Sequence, residues 1–190
     1  GFPYCRGRVF DSIEEDKGQY EDQIPIFWAS GACFFIKKEV FDTLKGFDED
    51  FFAHQEEIDL CWRAYNKGYE AYYTPQSQIY HLGGATLTEG SSQKVYLNFR
   101  NSLFMLLKNL PKPYWALTIF LRMVLDGVAG IRFFFQGRLR CTWAIVRAHF
   151  SFYRHFLHFY RKRQNPTLKS YYTVKSIVWE HFVKGKNKIE

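Results

Sequence analysis

The chain is predicted to be α/β, a small mixed domain followed by a mostly helical region, on three observations. Short apolar runs bounded by Gly and Pro alternate with helix-spaced segments between residues 26 and 81. From residue 91 onward the only sustained pattern is long helical periodicity. The charge breaks at the same place: 8 Lys+Arg face 16 Asp+Glu up to residue 93, and 18 face 3 from residue 94 on. Two parts follow, 1–90 and 91–190, the second strongly basic and suited to an anionic partner surface.

In the first part, residues 1–25 are polar and rich in Gly, Asp and Glu, which reads as a loop with a short turn around Arg6-Gly7-Arg8. Residues 26–36 form an almost unbroken apolar run interrupted by Ser30-Gly31, as in a buried strand with a close backbone approach at the glycine. Residues 37–44 (KKEVFDTL) suit a short helix closed by Lys45-Gly46. Residues 54–67 suit a second helix, with Ile58, Cys61, Trp62 and Tyr65 on its buried face and Gly68 as its stop. Residues 70–74 and 77–81 read as two short strands parted at Pro75, before Gly83-Gly84 breaks the pattern.

In the second part, a helix over 92–110 stops before Pro111 and Pro113. Residues 114–135 are apolar and long enough to cross a bilayer, but Arg122, Asp126 and Arg132 interrupt the run, which disfavours a spanning helix. Over 138–164, Arg140, Arg147, Arg154 and Arg161 recur every seventh residue. Beside them run Trp143, Val146, Phe150, Tyr153, Leu157 and Tyr160, an aromatic stripe next to a basic one. That pairing is expected of a helix lying in a membrane interface; an ordinary bundle helix with a solvated basic face is the alternative. No recognisable module for nucleic acid accompanies the basic residues, so nucleic acid is not an expected partner.

Four cysteines (Cys5, Cys33, Cys61, Cys141) stand apart, with no metal spacing, which argues for a reducing compartment and no zinc site. No signal peptide is visible, and a chain opening on Gly1 is expected to be a fragment.

Candidate chemistry concentrates in residues 46–63. Asp48, Glu49, Asp50, Glu56, Glu57 and Asp59 lie among Phe47, Phe51, Phe52, Ile58, Leu60 and Trp62. Carboxylates beside bulky apolar groups lose solvation, which raises their pKa and fits them for work as bases near neutrality. Acids also collect at helix N-termini for purely electrostatic reasons, so the pattern alone leaves both uses open.

Taken in order, a small-residue Gly31-Ala32 run, a GFDE-FF turn, an E-E-x-D-L-x-x-R helix start, a GY…P segment and an H-x-G-G end resemble a family 2 GT-A glycosyltransferase of the rhamnosyltransferase-like kind. Residues 94–110 are similar to the RN-containing helix that follows in such enzymes. The resemblance implies the later half of a GT-A fold and an inverting transfer of sugar from a nucleotide-sugar to the hydroxyl of a glycan or lipid-linked acceptor in cell-surface polysaccharide synthesis. It puts the base on Glu57, with Glu56 second; Asp59 is expected either to order the helix start or to pair with Arg63 one turn on. The resemblance lines the sugar cleft with Trp28, Gly31 and Ala32, sets Asp48 against substrate hydroxyls, and gives His81 a part in holding Mn²⁺ or Mg²⁺, as one ligand among oxygens, or the diphosphate. A core strand explains Trp28, Gly31 and Ala32 nearly as well, and a turn cap explains Asp48. The implied location is the cytoplasmic side, peripheral on the inner face of the cell membrane. The nucleotide-binding half and its metal-holding D-x-D are expected upstream of Gly1; Asp48-Glu49-Asp50 matches that motif by spelling alone. This polypeptide by itself is therefore expected to be inactive. The competing expectation is a non-enzymatic, membrane-peripheral interaction module.

Overall fold

The computed structural model describes residues 1–80, 90–163 and 172–188 and is mixed α/β with a helical C-terminal region. Two two-stranded antiparallel sheets are described. Strand β1 (Arg8–Val9) pairs with β2 (Ser12–Ile13) in a tight hairpin within the segment expected to be loop. Strand β3 (Ile24–Ile26) pairs with β4 (Ala71–Tyr73), Ile24 opposite Tyr73 and Ile26 opposite Ala71.

The expected strand over 26–36 is confined to its first residue. Past Ile26 the chain has no described partner strand and turns at Ser30-Gly31, where the Cys33 amide donates to the Ser30 carbonyl at 3.2 Å. Apolar composition alone does not make a strand when no edge is available to pair with, and Phe35 is left 91% exposed. Residues 77–80 likewise carry no strand, and Ile79 and Tyr80 are exposed.

The helices follow their sequence signals closely. Helix α1 (Lys38–Thr43) ends where Lys45 and Gly46 take left-handed conformations, φ 60° and 65°. A side chain at Gly46 would also meet the Phe41 ring at 3.1 Å. Helix α2 (Glu56–Asn66) buries Ile58, Leu60 and Trp62. Helix α3 (Ser92–Asn109) opens with the Ser91 hydroxyl accepting from the Lys94 amide at 3.3 Å. It is buried continuously from Asn101 to Asn109 because α2, α4 (Trp115–Phe135) and α5 (Leu139–Arg161) all pack on it. A short turn through Gly137, φ 72°, reverses the chain between α4 and α5.

One hydrophobic cluster joins the two parts of the chain, with Phe51, Ile58 and Trp62 from the first and Leu103, Phe104, Leu107, Phe152 and Phe159 from the second. Phe104 stacks on Phe159 at 3.7 Å between centroids, and Phe51 meets Phe159 edge-on. Helix α5 turns Cys141, Ala144, Ile145, Ala148, Phe152 and Phe159 inward. The stripe of Trp143, Phe150, Tyr153 and Leu157 faces outward, as do Arg140, Arg147, Arg154 and Arg161.

Candidate active site

The turn that leads into α2 is held in a conformation its residues do not favour. Phe52, His54 and Gln55 all have positive φ, at 64°, 69° and 73°. Bulky side chains reach that region only when surrounding contacts over-determine it. Those contacts come from α3. The Asn101 side-chain amide donates to the carbonyls of Phe51, Ala53 and His54 at 2.9, 2.8 and 2.7 Å. Arg100 donates to the Phe51 carbonyl at 3.0 Å, and its Nε donates to the Asn101 side-chain oxygen, fixing which end of that amide faces the turn. Phe51, fully buried, anchors the same turn in the core.

The turn delivers Glu56 and Glu57 to the first turn of α2, where they line a cavity of about 520 Å³ with Gly31, Phe34, Phe47, Asp48, Glu49 and Phe52. Glu57 lies under the 27–36 loop, and a Cβ on Gly31 would rest 3.7 Å from its carboxyl carbon. A glycine there lets the loop backbone come down on the carboxylate. Burial raises the Glu57 pKa and the charge of Glu56 adds to the rise; backbone amides, including that of Gly31, moderate it. One carboxyl oxygen of Glu57 and one of Glu56 are buried with no hydrogen-bond partner. A carboxylate both desolvated and incompletely satisfied is a competent proton acceptor for a group entering the cavity.

Beneath these acids lies a buried charge network. Asp59, fully buried, accepts from Arg63 Nε at 2.8 Å, Lys108 Nζ at 2.9 Å and Asn109 Nδ2 at 2.8 Å. Arg63 also donates to the carbonyls of Leu44 and Gly46, tying α2 to the end of α1. Lys108 bridges Asp59 to Asp48, and Lys162 from the end of α5 donates to Asp48 and Asp50. Burial pushes the Asp48 carboxyl up, but Lys108 and Lys162 outweigh it and hold the group at about 2. Every charged group of the network is paired, the Asn109 side-chain oxygen alone among its atoms being buried without a partner, and it joins α2, α3 and α5.

Four of the expected site residues, Gly31, Asp48, Glu56 and Glu57, thus meet at one cavity. Asp48 arrives with both oxygens engaged by lysines. Trp28 packs against the hydrophobic cluster, and Ala32 is exposed; neither is among the cavity's lining residues. His81 lies outside the described residues. Among the described residues no group of three or more His, Cys, Asp and Glu side chains is arranged to hold a metal, and Asp48 and Asp50 are taken up by Lys162. Sequence reading missed His54, whose Nε2 is buried without a partner beside Glu56, and the Lys108–Lys162 pair under the acids. Burial and the charge of Lys94 lower the His54 pKa against the pull of Glu56, favouring the neutral imidazole.

Part of the chain is similar to known sugar-transferring enzymes. An N-acetylglucosaminyl-diphospho-decaprenol L-rhamnosyltransferase of Mycobacterium tuberculosis is 33% identical over 57 residues, 30% of this chain and 19% of that protein. The low-salt glycan biosynthesis hexosyltransferase Agl10 of Haloferax volcanii is 32% identical over 103 residues, 52% of this chain and 34% of that protein. No family model matches the chain, and no solved structure matches it. The chain spans no more than about a third of the length of these curated relatives, and over that part it is related to glycosyltransferases.

Proposed function

We propose that this chain is the acceptor-side portion of an inverting family 2 glycosyltransferase with a GT-A fold, in which Glu57 is the base. The acceptor, a glycan or lipid-linked hydroxyl, enters the cavity and gives its proton to Glu57. Its oxygen then forms the new bond to the anomeric carbon on the face opposite the departing nucleoside diphosphate, so the configuration inverts. Glu56 raises the basicity of Glu57 by its like charge, and Gly31 keeps the loop close over the reacting oxygen. The nucleotide-binding strands and most of the residues that hold the counter-charge for the diphosphate belong, on this proposal, to sequence outside these 190 residues. Mn²⁺ or Mg²⁺ would supply that counter-charge, with His81 as its contact from this chain. We place the chain on the inner face of the cell membrane, where lipid-linked acceptors are presented.

The observation that carries the proposal is the buried, unpaired Glu57 oxygen in a cavity shared with Glu56. The test is Glu57→Gln in a polypeptide that includes the donor-binding half. Loss of a positioned general base is expected to slow transfer about 10²–10⁴-fold with folding intact. Unchanged turnover would eliminate Glu57 as the base and leave the alternative of a non-enzymatic, membrane-peripheral module.

A further inference from the structure

The outer surface of the α4–α5 hairpin is apolar to a degree the rest of the fold does not explain. On α4, Phe120, Val124, Val128 and Ile131 are 62, 50, 58 and 60% exposed. On α5, Trp143, Phe150, Tyr153 and Leu157 are 60, 70, 63 and 66% exposed. Each set follows the 3–4 spacing of a single helix face, opposite the residues that each helix buries against α3 and its neighbour. The two faces are continuous. A cavity of about 440 Å³ between the helices is lined from α4 by Gly127, Ile131 and Phe134 and from α5 by Ile145, Val146 and His149. A patch of this breadth on a folded chain marks an interaction surface.

Charge decides what the surface fits. At 100° per residue, Arg140, Arg147, Arg154 and Arg161 form a row along α5 bordering the apolar face, and all four are exposed. The one acid in α4 and α5, Asp126, is fully buried and neutralised by Arg122 at 2.7 Å, with His149 at 3.3 Å. The hairpin therefore shows the outside an apolar plane edged by guanidinium groups that have no carboxylate partner among the described residues. No described helix is long and apolar enough to cross a membrane, but the two lying side by side match the amphipathic geometry of the interface plane.

We propose that the α4–α5 face docks in the plane of an anionic phospholipid bilayer. The aromatic side chains enter the headgroup–acyl boundary, acyl-chain segments fill the groove between the helices, and the arginine row pairs with lipid phosphates. This rests on the membrane placement proposed above and is independent of the sugar chemistry, since vesicle binding needs no sugar nucleotide.

The test is flotation of the purified chain with vesicles of phosphatidylcholine alone or mixed with phosphatidylglycerol. Anionic lipid is expected to raise bound protein by about tenfold or more, an enhancement that falls with added salt. Brominated acyl chains should quench tryptophan fluorescence in the wild type and much less in Trp143→Phe. Phe120→Glu with Phe150→Glu should abolish flotation while circular dichroism shows the helices kept, since both positions are solvent-facing. Arg147→Glu with Arg154→Glu should remove the preference for anionic lipid. Failure of the wild type to float, equal binding to both lipids, or wild-type binding by the Phe120/Phe150 variant would each overturn the proposal. Light scattering showing a stable dimer that the same variant dissolves would also overturn it, by assigning the face to a second copy of the chain.

Discussion

Replacing Asn101 probes how the strained turn before α2 is held. Its amide carries two hydrogens shared among three carbonyls, at 2.7–2.9 Å. Asn101→Ala removes about two hydrogen-bond equivalents, each worth on the order of 1 kcal/mol net, and leaves the Ala53 and His54 carbonyls partly desolvated for about 1 kcal/mol more. The Phe51 carbonyl keeps its bond from Arg100, so it adds little. The expected loss is about 3 kcal/mol, read as a lower urea midpoint at constant slope in far-UV dichroism. Asn101→Asp gives a sharper result. An ionised carboxylate at that position has only acceptors to set against the same carbonyls, so the aspartate should be less stable than the alanine at neutral pH. Acidification, which restores one donor, should narrow the gap between them. If Asn101→Ala costs under 1 kcal/mol, or Asn101→Asp is as stable as wild type, α3 does not hold the turn in the way described.

Lys108→Met strands Asp59 and Asp48 with fewer counter-charges in a buried setting and should cost about 3–5 kcal/mol in chemical unfolding. The Asp48 carboxyl sits at about 2 against an ordinary 3.8, so its contribution is fully present above 3.8 and lost as pH falls towards 2. That contribution is on the order of 2 kcal/mol, and Asp48→Asn should flatten the acid limb of the stability curve by that much. Glu57 has the opposite sign: its folded pKa is raised, so its ionisation disfavours the fold as pH rises through that value. Glu57→Gln should therefore match or exceed wild-type thermal stability at neutral pH, and lower stability there would contradict the burial assigned to it.

The helices were legible because their signals are local. The KKEVFDTL segment with Lys45-Gly46, the 3–4 spacing in α2 and the prolines after α3 each act within a few residues. The Asp59–Arg63 pair was legible for the same reason, being one helical turn apart. Of the strands only the one expected over 70–74 was, appearing as β4; the others were not, because pairing is decided at a distance. β3 exists only where Ala71–Tyr73 lies beside it, and the apolar run beyond Ile26 has no such neighbour. The clamp from Asn101 and the bridge through Lys108 join residues about fifty positions apart, so nothing in a local window announces them. The acids of 46–63 were readable as a group. Their sorting was not: Asp48 and Asp59 went to lysines and arginine, while Glu57 was left buried and short of partners.

A carbon-detected NMR titration of the Glu57 carboxyl, assigned by its loss in Glu57→Gln, bears most directly on whether this residue is a desolvated base. A midpoint above the ordinary 4.5 is predicted, falling back when Glu56→Gln removes the neighbouring charge. A midpoint at or below 4.5, unmoved by Glu56→Gln, would contradict it.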